Sequence, residues 1–342
     1  GRDSDTNTMV KGLKQLFPSQ VSTFTLDEEH SKWRGYSADE VVRIGYGDIE
    51  PEDVELLKET LNLSDVAASA AYNLQQRYGR NSWMAEFLKL EGQSDLAELA
   101  ASLGVQAQAL GALHNRLRRL GRFGFLEEKS NFDATSRIIE HLESGKHVVL
   151  EFGRYGNDLT AYILLSNLLT RRIHDRYVEL KEKADGGQGK DPRPLVIVIE
   201  EAHKFLNPGV ASQTIFGIIA RELRKYNVTL MVIDQRPSAI DSEVMSQLGT
   251  RLTCLLDNER DIDAALSGVS GSRHLRGVLS RLEAKQQALI FGHALPMPVV
   301  VHTRAYDETF YSQMLQGSPT SVGDTISETQ TERIEREINE LF

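Results

Sequence analysis

Short apolar runs separated by helical stretches constrain the fold of this chain more than any other feature of its sequence. Three of the runs, at residues 147–152, 195–199 and 228–233, are continuous and rich in β-branched residues. Continuous runs of this kind are typical of parallel strands that are covered on both faces. Further short runs follow at residues 251–256, 288–291 and 299–302. The pattern predicts an α/β fold with a doubly wound, largely parallel sheet.

A different periodicity precedes most of these runs. From residue 50 to about residue 128, apolar residues recur at three- and four-residue steps, as at Leu110, Leu113 and Leu117. This spacing puts the apolar side chains on one face of a helix. Residues 46–128 are therefore predicted to form a helical subdomain.

Composition excludes several classes of protein. The chain has 342 residues, a formal net charge of -10 and one cysteine. Its apolar runs are far shorter than the ~20 residues that cross a bilayer, and one cysteine permits neither an intrachain disulfide nor a cysteine-rich metal site. We expect Cys254 to be a buried strand residue of a cytoplasmic protein. The negative charge excludes a global basic field, so any contact with DNA must be local.

One local basic feature lies in the helical subdomain. A single predicted helix carries four arginines, at positions 116, 118, 119 and 122. A solvated basic face is the default interpretation of such a helix, and a contact with nucleic acid remains the alternative.

Two adjacent carboxylates follow the second apolar run. Glu200 and Glu201 come directly after a predicted buried strand, at the sheet edge where α/β proteins bind ligands. In phosphoryl-transfer ATPases one carboxylate of such a pair holds Mg²⁺ and the other orients and deprotonates the attacking water. The alternative is structural, in which the pair caps the next helix and forms ion pairs with Lys or Arg. His203 is expected to pack beside this strand, because the histidines show no zinc-ligand spacing.

The third run ends in Asp-Gln-Arg-Pro-Ser at residues 234–238. Gln235 would then lie at the same sheet edge, where its amide can bind a γ-phosphate or the attacking water. A helix N-cap by Ser238 or Asp241, with Pro237 opening the turn, is compatible with this role. Between the two strands, an amphipathic helix is predicted over residues 215–226. Its arginines lie either on the surface or toward a phosphate.

Taken together, these motifs resemble one known family. Residues 199–203 (Ile-Glu-Glu-Ala-His), 219–226, 233–241 and 245–250 resemble the HerA branch of the HerA/FtsK superfamily of ring-forming, DNA-pumping ATPases, and residues 282–292 and 298–301 are similar to its closing strands. The resemblance covers about residues 130–310. It implies a RecA-like fold, a hexameric ring on double-stranded DNA, ATP with Mg²⁺, and a NurA-type nuclease partner in DNA-end processing.

The resemblance also implies roles for individual residues. Glu200 takes the metal position and Glu201 the catalytic-base position of the Walker B strand, and Gln235 is the sensor. Arg221 or Arg224 reaches the nucleotide of a neighbouring subunit, with Arg221 preferred. P-loop ATPases more often have Asp at the first acidic position, but a Glu at position 200 can still hold the metal through water.

The same resemblance implies an organisation for the whole chain. Residues 1–45 form the edge of the ATPase core and residues 46–128 a helical insertion. Residues 129–310 complete the core, with the Walker B strand, the sensor and the arginine finger. Residues 311–342 form a C-terminal tail or brace.

One motif of the family is missing from the sequence. A P-loop needs a glycine-rich turn that ends in Lys and Ser or Thr. The two Gly-Lys pairs, at Gly145 and Gly189, have neither the glycine spacing nor the hydroxyl residue. We therefore expect the P-loop to lie upstream of Gly1, and the chain alone to be inactive. A non-catalytic ring scaffold that recruits a nuclease, and a conjugation or secretion ATPase, remain the alternative functions.

Overall fold

The computed structural model describes residues 10–130, 133–209, 211, 223–269 and 271–316. It divides the chain into two compact units, residues 1–17 with 304–342 and residues 18–303. The α-helices in the described residues, numbered in chain order, are α1 (Leu13–Leu16), α2 (Glu28–Trp33), α3 (Pro51–Leu56), α4 (Asp65–Tyr78), α5 (Trp83–Leu88), α6 (Gln93–Leu103), α7 (Ala107–Leu120), α8 (Ala134–Glu143), α9 (Leu159–Asp185), α10 (His203–Leu206), α11 (Ser242–Gln247), α12 (Glu259–Ala265), α13 (Ser272–Leu279) and α14 (Glu308–Gln316).

The strands of the described residues form four small sheets. They are β1 (Val21–Thr25), β2 (Glu40–Val41), β3 (Ile44–Gly45), β4 (Leu126–Glu127), β5 (His147–Glu151), β6 (Leu195–Glu200), β7 (Val228–Ile233), β8 (Thr250–Thr253), β9 (Gln287–Gly292) and β10 (Val299–His302). The order is β2-β1-β5 in one sheet and β10-β9-β8 in another, while β3 pairs with β4 and β6 with β7. Pairing is parallel except in β8–β10, which is antiparallel. The prediction of an α/β fold with a largely parallel sheet is confirmed, with this antiparallel part as the exception.

The smaller unit contains α1 and α14 among its described residues. The hydroxyl of Tyr306 donates to the carbonyl oxygen of Lys11 at 2.8 Å. The ammonium of Lys11 lies 3.3 Å from the carboxylate of Glu308 and 4.9 Å from the ring centre of Tyr311. These contacts tie the two segments of this unit together.

Helices α3 to α7 lie within the region where the sequence predicts a helical subdomain. Side chains at the predicted apolar positions of α7 (Leu110, Leu113 and Leu117) are buried. The indole N–H of Trp83, itself buried, donates to the carbonyl oxygen of Ile49 at 2.9 Å, so this large apolar side chain carries no unpaired polar atom. The domain boundaries themselves stay predictions.

A group of ion pairs joins this helical region to α9. The guanidinium of Arg171 binds Asp53 at 2.9 and 3.1 Å and also binds Glu50. Burial raises the pKa of Asp53 to about 6, although Arg171 acts to lower it. Burial also acts on Glu50, but hydrogen bonds from Arg171 and Arg80 keep the pKa of Glu50 below its usual range. The two carboxylates differ because Glu50 has two guanidinium partners and is less buried.

One expectation about the strands is wrong. We expected β6 and β7 to be covered on both faces, but alternate side chains (Val196, Val198, Met231 and Ile233) are 43 to 53% exposed. The described elements pack on one face of this strand pair only, where Ile199 and Val228 are buried. The opposite face is a bare apolar surface in the described part of the chain.

Two further expectations concern Cys254 and the helix predicted between β6 and β7. Cys254, expected to be a buried strand residue, is exposed and follows the last residue of β8. The helix predicted over residues 215–226 lies mostly outside the described residues, and its described end, Leu223–Tyr226, is a 3-10 turn.

In the described part of the chain, no single helix is long and apolar enough to cross a membrane. Helices α6 and α7 together have sufficient length and apolar content, but the chain bends by 120° between them.

Candidate active site

Polar residues follow the carboxyl ends of β6 and β7. The two strands pair in parallel from Leu195 opposite Val228 to Glu200 opposite Ile233. Glu201 and Asp234 are therefore the first residues beyond the paired segment, and Gln235 follows one position later. Adjacent parallel strands deliver these residues to one edge of the sheet, as the sequence predicts.

Glu201 has an unusual backbone conformation. Its φ angle is +52°, in the left-handed region that non-glycine residues rarely adopt. Such a conformation costs about 1–3 kcal/mol and persists only where the surroundings fix it. The side chain is 50% exposed, and it lies beyond the end of the strand rather than along it. The backbone therefore turns sharply at the residue to which the resemblance assigns the catalytic base.

A buried carboxylate immediately after the neighbouring strand fixes this turn. The side chain of Asp234 is 4% exposed, and its Oδ2 accepts a hydrogen bond from the backbone N–H of His203 at 2.7 Å. Nδ1 of His203 lies 2.8 Å from the same oxygen, so an ionised Asp234 accepts the ring proton there. Nδ1 also lies 3.8 Å from the carboxylate of Glu201. Asp234 thus links the chain after β6 to the chain after β7.

The same carboxylate also fixes the turn that carries Gln235. Oδ1 of Asp234 accepts from the backbone N–H of Arg236 at 2.7 Å, which closes a tight turn around Gln235. Beyond it, the backbone N–H of Ser238 donates to the buried Asp261 at 3.0 Å. Gln235 is exposed, and no hydrogen bond to its side chain is seen within the described residues. Its amide is therefore available to a ligand at this edge.

An aromatic layer lies beside the carboxylate pair. Tyr162 of α9 stacks on Phe205 with ring centres 4.1 Å apart and meets Phe152 edge-on at 4.3 Å. Burial, followed by the negative charges of Glu200 and Glu201, raises the pKa of Tyr162 to about 12. The phenol therefore stays protonated near these carboxylates, and the ammonium of Lys204 lies 5.6 Å from its ring centre.

The described residues show neither of the contacts that the structural interpretation of the carboxylate pair predicts. Helix α10 begins at His203, whose backbone N–H donates to Asp234, and within the described residues neither Glu200 nor Glu201 caps the helix. Within the described ranges, neither Glu200 nor Glu201 forms an ion pair with Lys or Arg. The helix cap expected after β7 is formed by Asp241, which accepts from the backbone N–H groups of Glu243 and Val244.

The arginine predictions have no structural test. Arg221 lies outside the described residues, and only the backbone of Arg224 is described, in the 3-10 turn before β7. The choice between them stays a prediction.

Two residues of this site were not assigned from the sequence. His203 was expected to pack beside the strand, but its backbone and ring both bind Asp234. A carboxylate immediately after an apolar parallel strand was the available signal for Asp234. Tyr162 carried no signal, because its proximity depends on the tertiary contacts of α9 with Phe152 and Phe205.

The sequence of this chain is similar to those of known DNA repair helicases. The HerA double-strand break repair helicase of Pyrococcus furiosus is 31% identical over 142 residues, which are 41% of this chain and 26% of that protein. The corresponding helicase of Saccharolobus solfataricus is 29% identical over 215 residues, 61% of this chain and 41% of that protein. The matched regions therefore span between a quarter and two-fifths of these relatives. No protein-family model matches the chain.

The fold of this chain is also similar to that of solved structures. The plasmid coupling protein TrwB in complex with ADP and Mg²⁺ matches 89% of this chain and 90% of its own, with a TM-score of 0.52 and 13% identity. Its complex with a non-hydrolysable GTP analogue matches the same share of each chain with a TM-score of 0.50. The motifs and these comparisons agree: the chain is similar in sequence to HerA helicases, and its α/β fold is RecA-like.

Proposed function

We propose that this chain supplies the Walker B carboxylates and the sensor of a HerA-like ATPase that moves double-stranded DNA. The proposal rests above all on Asp234, which joins the turns carrying Glu201 and Gln235 at one sheet edge. Similarity to HerA helicases supports both ATP hydrolysis and DNA as the partner. In phosphoryl-transfer enzymes an acidic or amide side chain beside the γ-phosphate positions the nucleophile.

In this proposal each residue has one task. Glu201 accepts a proton from the attacking water, and its exposed carboxylate is accessible to that water. Gln235 donates from its amide to the γ-phosphate or orients the same water. An arginine of the neighbouring subunit, Arg221 or Arg224, stabilises the charge of the transition state.

The donor set fits Mg²⁺ only as part of a nucleotide complex. The described residues contain no group of three or more His, Cys, Asp or Glu side chains that could hold a metal. Magnesium usually keeps several waters and takes one or two carboxylates together with substrate phosphates. Glu200 is exposed at the end of β6 and would serve as that carboxylate. When bound, the ion neutralises charge on the β- and γ-phosphates.

The wider assembly belongs to the same proposal. The ATPase forms a hexameric ring around DNA, acts in DNA-end processing in the cytoplasm and works with a NurA-type nuclease. Residues 1–342 contain no P-loop sequence, so hydrolysis requires a phosphate-binding loop from outside these residues.

Replacing Glu201 with glutamine tests the function directly. In the protein that includes the P-loop, we expect DNA-stimulated ATP hydrolysis to fall by about 10²–10⁴-fold, because glutamine cannot accept the proton. Nucleotide binding is expected to persist, because the amide has the same shape. Hydrolysis is measured by phosphate release, and binding by fluorescence of a labelled nucleotide.

The matched control is Glu182→Gln. Glu182 is exposed on α9, 20 residues beyond Tyr162 and so about 30 Å along the helix. Its replacement removes the same charge and is expected to leave turnover unchanged. Unchanged turnover in Glu201→Gln would reassign the base, and no hydrolysis by the parent protein would favour the ring scaffold.

A further inference from the structure

Helix α7 has two chemically distinct faces. Its leucines at positions 110, 113, 117 and 120 are buried in the helical core. The opposite face carries Ala112 and Asn115, followed by Arg116, Arg118 and Arg119 near the carboxyl end of the helix. The partial negative charge of a helix carboxyl end stabilises nearby cations. The helix can therefore hold several arginines close together without a carboxylate among them.

The residues on the face of α7 opposite the leucines line one open groove. Its volume is about 630 Å³, and its walls also include Asn62 from the turn before α4. Every polar side chain that lines it is either a guanidinium or a carboxamide, so the groove offers many N–H donors and no negative charge. The complete lining consists of Asn62, Ala112, Asn115, Arg116, Arg118 and Arg119.

The three arginines differ from the arginines around them. Across the described ranges, no ion pair joins Arg116, Arg118 or Arg119 to a carboxylate. Arg122, two residues beyond α7, binds Asp158 at 2.8 Å. The pKa of the buried His114 on the same helix is lowered first by burial and then by the charge of Arg118. In a chain of net charge -10, this concentration of unpaired positive charge requires an explanation.

We propose that this groove, the α7 groove, binds phosphates of the DNA backbone. The inference rests on the proposed function, because that function supplies DNA as the partner. Arg116 and Arg119 are three residues apart, which is about 4.5 Å along a helix axis. A DNA strand carries one negative charge per ~3.4 Å of its axis, so the two guanidiniums can bind neighbouring phosphates. Asn62 and Asn115 add donors to sugar or phosphate oxygens.

Contacts of this kind recognise the backbone rather than base sequence. Guanidinium groups bind phosphate oxygens through paired N–H donors, which position a protein on the duplex without reading bases. The α7 groove is therefore expected to bind DNA of any sequence with a strong dependence on salt. This property suits a protein that moves along DNA.

The test is the salt dependence of DNA affinity. Binding of the full protein to a labelled 30-base-pair duplex is measured by fluorescence anisotropy between 50 and 200 mM salt. Each lost phosphate contact reduces the slope of log K against log salt by about 0.9. We expect slopes lower by about 0.9 for Arg116→Gln or Arg119→Gln and about 1.8 for the double variant. Over this range the double variant should lose roughly tenfold less affinity than the parent.

Arg77→Gln is the matched control. Arg77 is exposed on α4 in the same helical region, binds the hydroxyl of Ser102 at 2.9 Å and does not line the α7 groove. Its loss removes one charge and is expected to leave the slope unchanged. Thermal unfolding checks that every variant is folded.

Three outcomes would contradict the inference. Equal slopes for Arg116→Gln, Arg119→Gln and Arg77→Gln would overturn the α7 groove as a DNA site while leaving the proposed function intact. Displacement of the duplex by low concentrations of inorganic triphosphate, at constant ionic strength, would make the groove a small-phosphate site. Absence of DNA binding by the parent would overturn the proposed function itself.

Discussion

Replacing Asp234 with alanine is expected to lower the kcat of ATP hydrolysis by about 10²-fold while leaving KM nearly unchanged. Asp234 touches neither water nor nucleotide in our proposal, but its two oxygens hold the turns that carry Glu201 and Gln235. Displacing a reacting group by about 1 Å costs roughly that factor. Nucleotide binding depends on other groups, so a fall in kcat alone is the signature of a positioning residue. Steady-state kinetics of the protein with its P-loop give both parameters.

The asparagine variant separates positioning from folding. Asparagine has one acceptor oxygen, so Asp234→Asn can serve Arg236 or His203 but not both. We expect its kcat to lie between those of the parent and the alanine variant. Combining Asp234→Ala with Glu201→Gln should add little further loss, because residues that act as a unit are not additive. Equal kcat in the parent and in Asp234→Ala, with a lower unfolding temperature, would make Asp234 only structural.

The second large effect is on stability. Arg171→Met is expected to reduce the free energy of unfolding by about 3–5 kcal/mol, because it leaves the fully buried carboxylate of Asp53 without its guanidinium. Methionine retains most of the apolar length of the side chain, so the loss reports the charge. Urea unfolding monitored by circular dichroism measures it.

The loss should depend on pH in a defined direction. Burial already raises the pKa of Asp53 to about 6, above its ordinary value of 3.8, and removal of Arg171 raises it further. A carboxyl with a higher pKa in the folded state favours folding when protonated. The stabilisation from proton binding is therefore complete below about pH 4 and is lost as pH rises through 6 and above. We expect the effect of Arg171→Met to be largest at pH 8 and clearly smaller at pH 5.

Arg172→Met provides the comparison on the same helix. Arg172 binds the backbone oxygen of Asp48 at 2.8 Å and its carboxylate at 3.2 Å, and both side chains are partly exposed. Exposed ion pairs contribute about 0–1 kcal/mol. A loss for Arg171→Met as small as that for Arg172→Met, or one independent of pH, would show that the buried pair is not a major source of stability.

Local sequence patterns predicted most of the fold. The run at residues 228–233 forms β7 with the predicted limits, and β6 extends only one residue beyond the predicted 195–199. These strands were predictable because their β-branched runs are short and end in polar residues. Whether other elements pack on both faces of the sheet was not predictable, since a continuous apolar run fits both a strand covered on two faces and a strand with one exposed face.

The site was predictable only in part, for a physical reason. Glu201 and Gln235 follow strands, so the parallel sheet brings them to one edge. Their arrangement depends on Asp234 and His203, whose contact joins residues 31 positions apart in the chain. Such a hydrogen bond has no local periodicity. The unusual φ angle of Glu201 likewise results from surrounding contacts, because nothing in the local sequence favours a left-handed glutamate.

The left-handed backbone at Glu201 also bears on how this segment can evolve. Glycine adopts such a φ angle without strain, and asparagine does so more readily than glutamate. Selection for thermostability alone is therefore expected to replace Glu201 with one of these residues, with a gain of roughly 1 kcal/mol. Selection that also demands ATP turnover should retain the glutamate. Directed evolution under the two regimes would show whether this position trades stability for activity.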